Sequence, residues 1–409
     1  MNVNKGWICC FAGMGVNLCL GLLYAWGAFQ TVLRRDPFLW SATQTQIPYM
    51  VACAVFAITM IPGGYLQDRF GPKPVLIISA TATLIGFIMS GIFTYSVVAL
   101  TIFFGVVFGL ASGFGYSATT PPVVKWFPLE KRGFVSGLVV GGYGLAAVYA
   151  SPLTMYLLEN LGISKTFILL GVAYGVCIFL LAGVINNPPY DYVAGSPAVV
   201  KASVETRTIA VEAKPSMIVR TKQFYILWGM FCFGSLSSLM VVGQLRSIGL
   251  EQAGLTEVLA FWLISAYSIF NAAGRVGLGV IMDKIGGRAT LMLAFASRAL
   301  IFALFRNLTA TFPIFSGVAI VAFTYGGMAS VFPAMTANYY GAKNLGANYA
   351  LVFTAWGAGG VIGPLIGGIV RDATGAYDLA YSLSAILSAV GVILASILKA
   401  PHFAETTAK

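Results

Sequence analysis

Charge is what this 409-residue chain has least of. Asp, Glu, Lys and Arg make up only 9% of it, against roughly 25% in an ordinary soluble domain. It holds a single histidine, His402, near its end, and no Asp, Glu or His falls in the middle of a long apolar run. No group of His, Cys, Asp or Glu has metal-ligand spacing, and no acid, base and nucleophile are gathered as a catalytic site requires. The expectation is therefore no metal, no cofactor and no enzymatic activity. The six cysteines (Cys9, Cys10, Cys19, Cys53, Cys177 and Cys232) all lie in apolar stretches, where a thiol behaves as a small hydrophobe. The net charge of +11 comes from Lys and Arg scattered through short loops rather than collected in one patch, which argues against nucleic acid as a partner.

What fills the chain instead is apolar surface: 58% hydrophobic residues and a mean hydropathy of +0.87. Such a chain is counted in membrane spans of about 20 residues each. Twelve are expected, near 6–33, 44–67, 74–94, 97–122, 133–158, 164–186, 222–245, 255–282, 289–306, 312–334, 347–370 and 377–399. The first run is too long for a signal peptide and no small-residue cleavage site follows it, so it reads as a retained span. Residues 187–221, with Pro188-Pro189, Gly195 and Pro197, read as a flexible linker between a half at 1–186 and a half at 222–409. The fold class is an all-α membrane protein of twelve transmembrane helices in two six-helix bundles, with the lipid bilayer as its solvent.

Basic residues set the orientation. Sixteen Lys and Arg lie on the side of both termini and the linker, among them Lys5, Arg69, Lys73, Lys125, Lys131, Arg132, Lys284 and Arg288. Only six lie opposite: Arg34, Arg35, Lys165, Arg246, Arg306 and Arg371. Both termini are therefore expected in the cytoplasm. The halves also repeat. Gly64-Tyr65-Leu66-Gln67-Asp68-Arg69-Phe70-Gly71-Pro72-Lys73 returns 215 residues later as Gly279-Val280-Ile281-Met282-Asp283-Lys284-Ile285-Gly286-Gly287-Arg288. Pro121, Phe127, Gly133, Gly144 and Pro152 match Pro333, Tyr340, Gly346, Gly357 and Pro364 at shifts of 212 or 213. Internal duplication of a six-span half marks transporters that rock one bundle against the other.

Two arginines, Arg275 and Arg298, belong to neither side. Arg275 precedes the polar turn at Asp283 by about eight residues, which puts it roughly 12 Å inside the membrane. An arginine there costs about 2.5–3.5 kcal/mol on insertion scales, so it needs a partner. Asn271 lies four residues earlier on the same helix face. A guanidinium offers a fork to a carboxylate, and an amide can serve a carboxylate oxygen or a hydroxyl, so the pair reads as an anion site. Arg298 has no evident role in the sequence. The runs Gly105/Gly109/Gly113, Gly137/Gly141 and Gly359/Gly363/Gly367 suit close helix contacts. Asn307-Leu308-Thr309 matches the short glycosylation pattern.

The paired Gly-x-x-x-Asp-basic-x-Gly-x-basic loops resemble the cytoplasmic signature of the major facilitator superfamily. Within it the chain looks most like the monocarboxylate porters and the bacterial oxalate–formate exchangers. Three stretches carry this likeness: Tyr24-Ala25-Trp26-Gly27-Ala28-Phe29, Lys125-Trp126-Phe127 with Lys131-Arg132-Gly133, and the Asn271/Arg275 pair. The resemblance implies a monomeric major facilitator fold in the plasma membrane. It also implies gating by Asp68, Arg69, Asp283 and Lys284, and a cavity lined by spans in which Tyr116 and Tyr325 are candidate hydroxyl donors. Tyr24, Leu145 and Phe353 are candidate walls beside Asn271 and Arg275. Three departures matter. The monocarboxylate porters have an acid where Asn271 stands, carriers of doubly charged anions have a second basic residue where Val352 stands, and human-type monocarboxylate porters have a lysine near Ala28. One cation best balances one carboxylate, so the expected substrates are monocarboxylates such as lactate or pyruvate. Proton symport is expected, with anion exchange or a non-transporting anion sensor as alternatives.

Overall fold

The structure, a computed structural model, describes residues 2–189, 192, 212–242 and 244–401. Gly195, Pro197, Lys201, Arg207, His402 and Lys409 lie outside the described residues. Every regular element among the described residues is helical. Helix α1 is Asn2–Leu20, continued by a 3₁₀ turn Gly21–Ala25 and by Trp26–Leu33. It is followed by α2 (Ala42–Phe70), α3 (Pro72–Ile92) and α4 (Val97–Trp126), the last with a π-helical stretch Thr101–Phe108. Arg132–Ala182 holds α5 and α6, divided at Gly162. The second half supplies α7 (Lys222–Val242), α8 (Glu257–Ile285), α9 (Gly287–Leu304), α10 (Thr311–Tyr340), α11 (Leu345–Thr374) and α12 (Asp378–Ile397).

Among the described residues eleven helices are long and apolar enough to cross a membrane, and one of them, Leu129–Ala182, is 54 residues long. As a single rod of about 1.5 Å per residue it would far exceed a hydrocarbon core of roughly 30 Å. Gly162, at φ 75° and ψ 170°, breaks it, a conformation open to glycine because it lacks a Cβ. The result is the twelve crossings expected from the sequence. Several boundaries differ. Span 7 ends at Val242 rather than 245, and a separate short helix, Leu245–Glu251, follows and packs into an apolar cluster with Leu263 and Phe302. On the linker side α2, α8 and α10 run past their apolar spans, to Phe70, Ile285 and Tyr340. These added turns carry the polar signature residues clear of the membrane core.

The repeat is visible helix by helix. Both α2 and α8 are 29 residues long, start at a hydroxyl N-cap (Ser41 and Thr256) and end at a glycine of positive φ (Gly71 at 84°, Gly286 at 82°). A side-chain oxygen at the N-cap satisfies an amide with no partner inside the helix. Across the two halves, α2 packs on α11 and α5 on α8. Of the three glycine runs, Gly105–Gly113 seats α4 on α2 and Gly359–Gly367 seats α11 on α7, each within one half. Only Gly137 and Gly141 meet the other half, at the backbone of Arg275 and the side chain of Val276.

Sequence alone gave Arg298 no role, and the structure does. It is fully buried and turned into its own half. Its Nη2 donates to the carbonyl of Gly234 at 2.6 Å and to Ser238 at 2.8 Å, with Ser237 also in bonding distance, and Nη1 contacts the Met328 sulfur at 3.3 Å. It pins α9 to α7 and α10.

The seat of α8 on α10 is set by Gly274 and Gly326: a Cβ on either would strike the backbone of Phe323 or Asn271 respectively. Gly274→Val is expected to destabilise the fold by about 1–3 kcal/mol, the usual cost of overpacking. A lowered melting temperature of the detergent-purified protein checks this, and an unchanged one would reject the close α8–α10 contact.

Candidate anion site and the closed linker side

Arg275 and Asn271 lie at the contact of α8 with α5 and are 5% and 6% exposed. The Arg275 Nη1 donates to the carbonyl of Val140, in the first half, at 2.7 Å. Its Nε donates to Asn271 Oδ1 at 3.3 Å. Gly144, one turn beyond Val140, leaves the space the guanidinium occupies, since a Cβ there would lie 2.7 Å from Nε. A buried guanidinium costs several kcal/mol to desolvate. Both of these partners are uncharged, and among the described residues no carboxylate bonds to Arg275. Its charge is therefore not balanced by a carboxylate among the described residues.

The phenols of Tyr24, Tyr116 and Tyr325 lie within electrostatic reach of the guanidinium. Around them is an aromatic box drawn from both halves. Tyr143 meets Tyr24 and Tyr116 edge-on at 5.2 and 5.6 Å, Phe56 lies 5.5 Å from Tyr116 and 5.3 Å from Phe353, and Phe353 stacks on Trp356 at 5.0 Å. The Trp356 indole donates to the Tyr325 hydroxyl at 2.9 Å. Six of the seven residues expected at the site (Arg275, Asn271, Tyr116, Tyr325, Tyr24 and Phe353) are thus brought together. Leu145 is not among them: it is 40% exposed and belongs to none of the buried clusters. Sequence reasoning missed Phe56, Tyr143, Trp356, Gly144 and the Val140 carbonyl. Val352 is fully buried in apolar core and Ala28 packs against that core, so neither position offers a second charge.

Toward the linker the halves close on each other. The N–H groups of Gly346 and Ala347, at the start of α11, donate to the Asp68 carboxylate at 3.1 and 2.8 Å. Those of Gly133 and Phe134, at the start of α5, donate to Asp283 at 2.8 and 2.7 Å. Gly64 abuts Gly346 and Gly279 abuts Gly133, backbone against backbone. Lys125 adds an ion pair to Asp68 at 3.5 Å, and among the described residues Asp283 has no ion-pair partner. Arg69 and Lys284 are exposed and bridge nothing among the described contacts, Arg69 lying over the Phe70 ring. Of the four expected gating residues, the structure places the two carboxylates at the contact between the halves and the two basic residues outside it.

Two six-helix bundles closed by a duplicated signature, with a buried cation between them, define a multi-pass membrane transporter. The chain belongs to the Major Facilitator Superfamily, whose family model matches residues 6–305 and 245–408. It is 30% identical to the uncharacterised transporter YhjX of Escherichia coli, over 87% of this chain and 86% of that one. It is 28% identical to the oxalate:formate antiporter of Oxalobacter formigenes, over 92% and 87%. In fold it resembles FucP of E. coli in the outward conformation, with a TM-score of 0.68 at 16% identity over 94% and 98% of the chains.

Gly144→Ala tests the fit around the cation. It is expected to displace the guanidinium and weaken substrate binding by about tenfold or more, roughly 1.4 kcal/mol. Substrate competition in proteoliposomes, read beside the melting temperature, checks it. Unaltered affinity in a stable variant would show that the guanidinium does not depend on this space.

Proposed function

We propose that the protein is a secondary transporter of small monocarboxylates of the lactate and pyruvate type. It works by alternating access in the plasma membrane, with the termini, linker and latch on the cytoplasmic side. The observation that carries this reading is Arg275, a buried cation set between the halves with only neutral partners. A carboxylate fits its fork, and the Asn271 amide, its oxygen already engaged by Nε, still has N–H groups to donate. The aromatic box suits the short carbon chain of such an anion. One resident cation balances one negative charge, and a second carboxylate would be buried unpaired. The likeness to a relative named for oxalate and formate supports the carboxylate class.

For coupling, the substrate is released after it takes up a proton, which ends its pairing with Arg275 and gives net anion-plus-proton movement. Obligatory exchange is a second reading, favoured by one observation. With Asn271 where an acid would supply a counter-charge, a carrier returning empty moves a bare guanidinium, whereas one returning loaded does not.

Labelled L-lactate and proteoliposomes separate these readings. Accumulation driven by an inward proton gradient supports symport, and uptake only into vesicles preloaded with an anion replaces it by exchange. No transport by purified protein would leave an anion sensor. Arg275→Ala is expected to reduce uptake by a factor of about 100 or more, the loss of a charge-assisted pair of roughly 3 kcal/mol. Wild-type uptake in that variant rejects the arginine site. Val352→Lys is expected to move a competition panel toward oxalate, and an unmoved panel would show that this position does not face the substrate.

A further inference from the structure

The connector between the halves reads in sequence as flexible throughout, yet both its described ends are docked. At its start, the Tyr192 hydroxyl donates to the Trp126 carbonyl at 3.0 Å and its ring packs on Trp126, whose indole donates to the Asn186 carbonyl at 2.8 Å. At its end, the Lys343 N–H donates to the Glu212 carboxylate at 2.7 Å, and the Ala213 N–H donates to the Tyr340 carbonyl at 2.9 Å. The side-chain amides of Asn344 and Asn348 both donate to the Ala213 carbonyl, at 3.1 and 3.0 Å. Ala213 and Ile218 are fully buried.

These two docking places are the turns that lead into α5 and α11, the helices whose first amides receive Asp283 and Asp68. The second is tied into the latch itself. Lys125 bonds at once to Asp68 (3.5 Å) and to the carbonyl of Lys343 (3.4 Å), the residue whose N–H Glu212 holds. Glu212 also lies within electrostatic reach of Lys125 and Arg132, both from the first half. Pro215 of the connector lines the same surface cleft as Asp68 and Ala347.

We propose that Glu212 and Ala213 make the connector a working part of the cytoplasmic gate: they hold the α10–α11 turn and, through Lys343 and Lys125, stabilise the closed latch. Glu212 is the third carboxylate of the gate. It bonds the N–H of Lys343, whose carbonyl Lys125 of the first half bonds at 3.4 Å, and so in the closed state it holds a backbone amide as Asp68 and Asp283 do. Rocking the halves apart carries Lys125 and Arg132 away from Glu212, so the closed state alone has the full network. The proposal concerns the gate and holds for any substrate.

Hydrogen–deuterium exchange on the full-length protein tests it without reference to transport. Glu212 is exposed, so Glu212→Gln and Glu212→Ala leave no buried gap, and Asn344→Ala removes a different bond of the same clasp. All three are expected to speed exchange at Gly346 and Ala347 by about five- to tenfold. They should also speed exchange at Gly133 and Phe134, the other latch, to which Glu212 makes no hydrogen bond. Asp68→Asn sets the scale. Faster exchange confined to residues 343–348 would reduce the clasp to a local cap, and no change beside a responsive Asp68→Asn would return the connector to a passive tether. Either result overturns the proposal.

Discussion

The two halves of this transporter are held on one side by a reciprocal contact: each contributes a carboxylate that ends on the first amides of a helix in the other. The opening N–H groups of any helix lack partners within it, and they carry the positive end of the helix dipole. Asp68 and Asp283 each satisfy two of them. Charge-assisted bonds of this kind contribute about 1.5–3 kcal/mol each, but only if the helices approach closely enough. Gly64 against Gly346 and Gly279 against Gly133 permit that approach. Because each half supplies one carboxylate and one receiving helix, rigid rocking makes or breaks both contacts together. The two sides are not equal, since Asp68 has Lys125 and Asp283 has Glu130, of like charge, in its vicinity.

The anion site proposed at Arg275 is mechanically joined to this contact. Arg275 and Gly279 are four residues apart on one face of α8, so the cation and the latch glycine move with one rigid helix. The same side of α5 presents Gly133, Gly137 and the Val140 carbonyl to it. Arg275 thus spans the halves in the closed-latch state through a bond to backbone. On the proposed reading, an anion drawing the guanidinium toward itself would compete with the Val140 carbonyl, at the α5–α8 seam that the Asp283 latch closes. Binding and rocking share one interface, which is what alternating access requires of differential contacts between two states.

Much of this was legible in the sequence, and the duplication reaches the site as well as the latch. The shift of 215 residues that pairs Asp68 with Asp283 also pairs Phe56 with Asn271 and Met60 with Arg275; the shift of 213 pairs Val140 with Phe353 and Tyr143 with Trp356. Phe56 of the first half thus stands where the second half has Asn271, and Met60 where it has Arg275. Applied to the site, those shifts would have pointed to Phe56, opposite Asn271, and to Val140, opposite Phe353, whereas Tyr143 and Trp356 pair only with each other. That Arg275 uses the carbonyl of Val140 has no sequence signal, because every residue has a carbonyl and only helix crossing selects which is used. Leu145, half-exposed, stands one residue and about 100° of helix rotation beyond Gly144, whose missing Cβ leaves room for the guanidinium. The docked connector ends escaped because composition reports what a stretch avoids, a packed core of its own, and not what it rests on.

Arg298 sharpens what Arg275 means. Both are buried arginines without a carboxylate partner among the described residues, so burial alone does not distinguish a ligand site from a pin. Their acceptors do. Arg298 converges one nitrogen on three oxygens of a single helix in its own half and lies near the rings of Phe295 and Phe302, an arrangement that rocking leaves intact. The serines Ser237 and Ser238 inside an apolar span were its signal in the sequence. Arg275 has fewer bonds, and the shorter of them crosses to the half that moves. A cation satisfied within a rigid body stabilises that body. One left partly satisfied across a moving seam is available to whatever anion enters, and its partners must change when the seam opens.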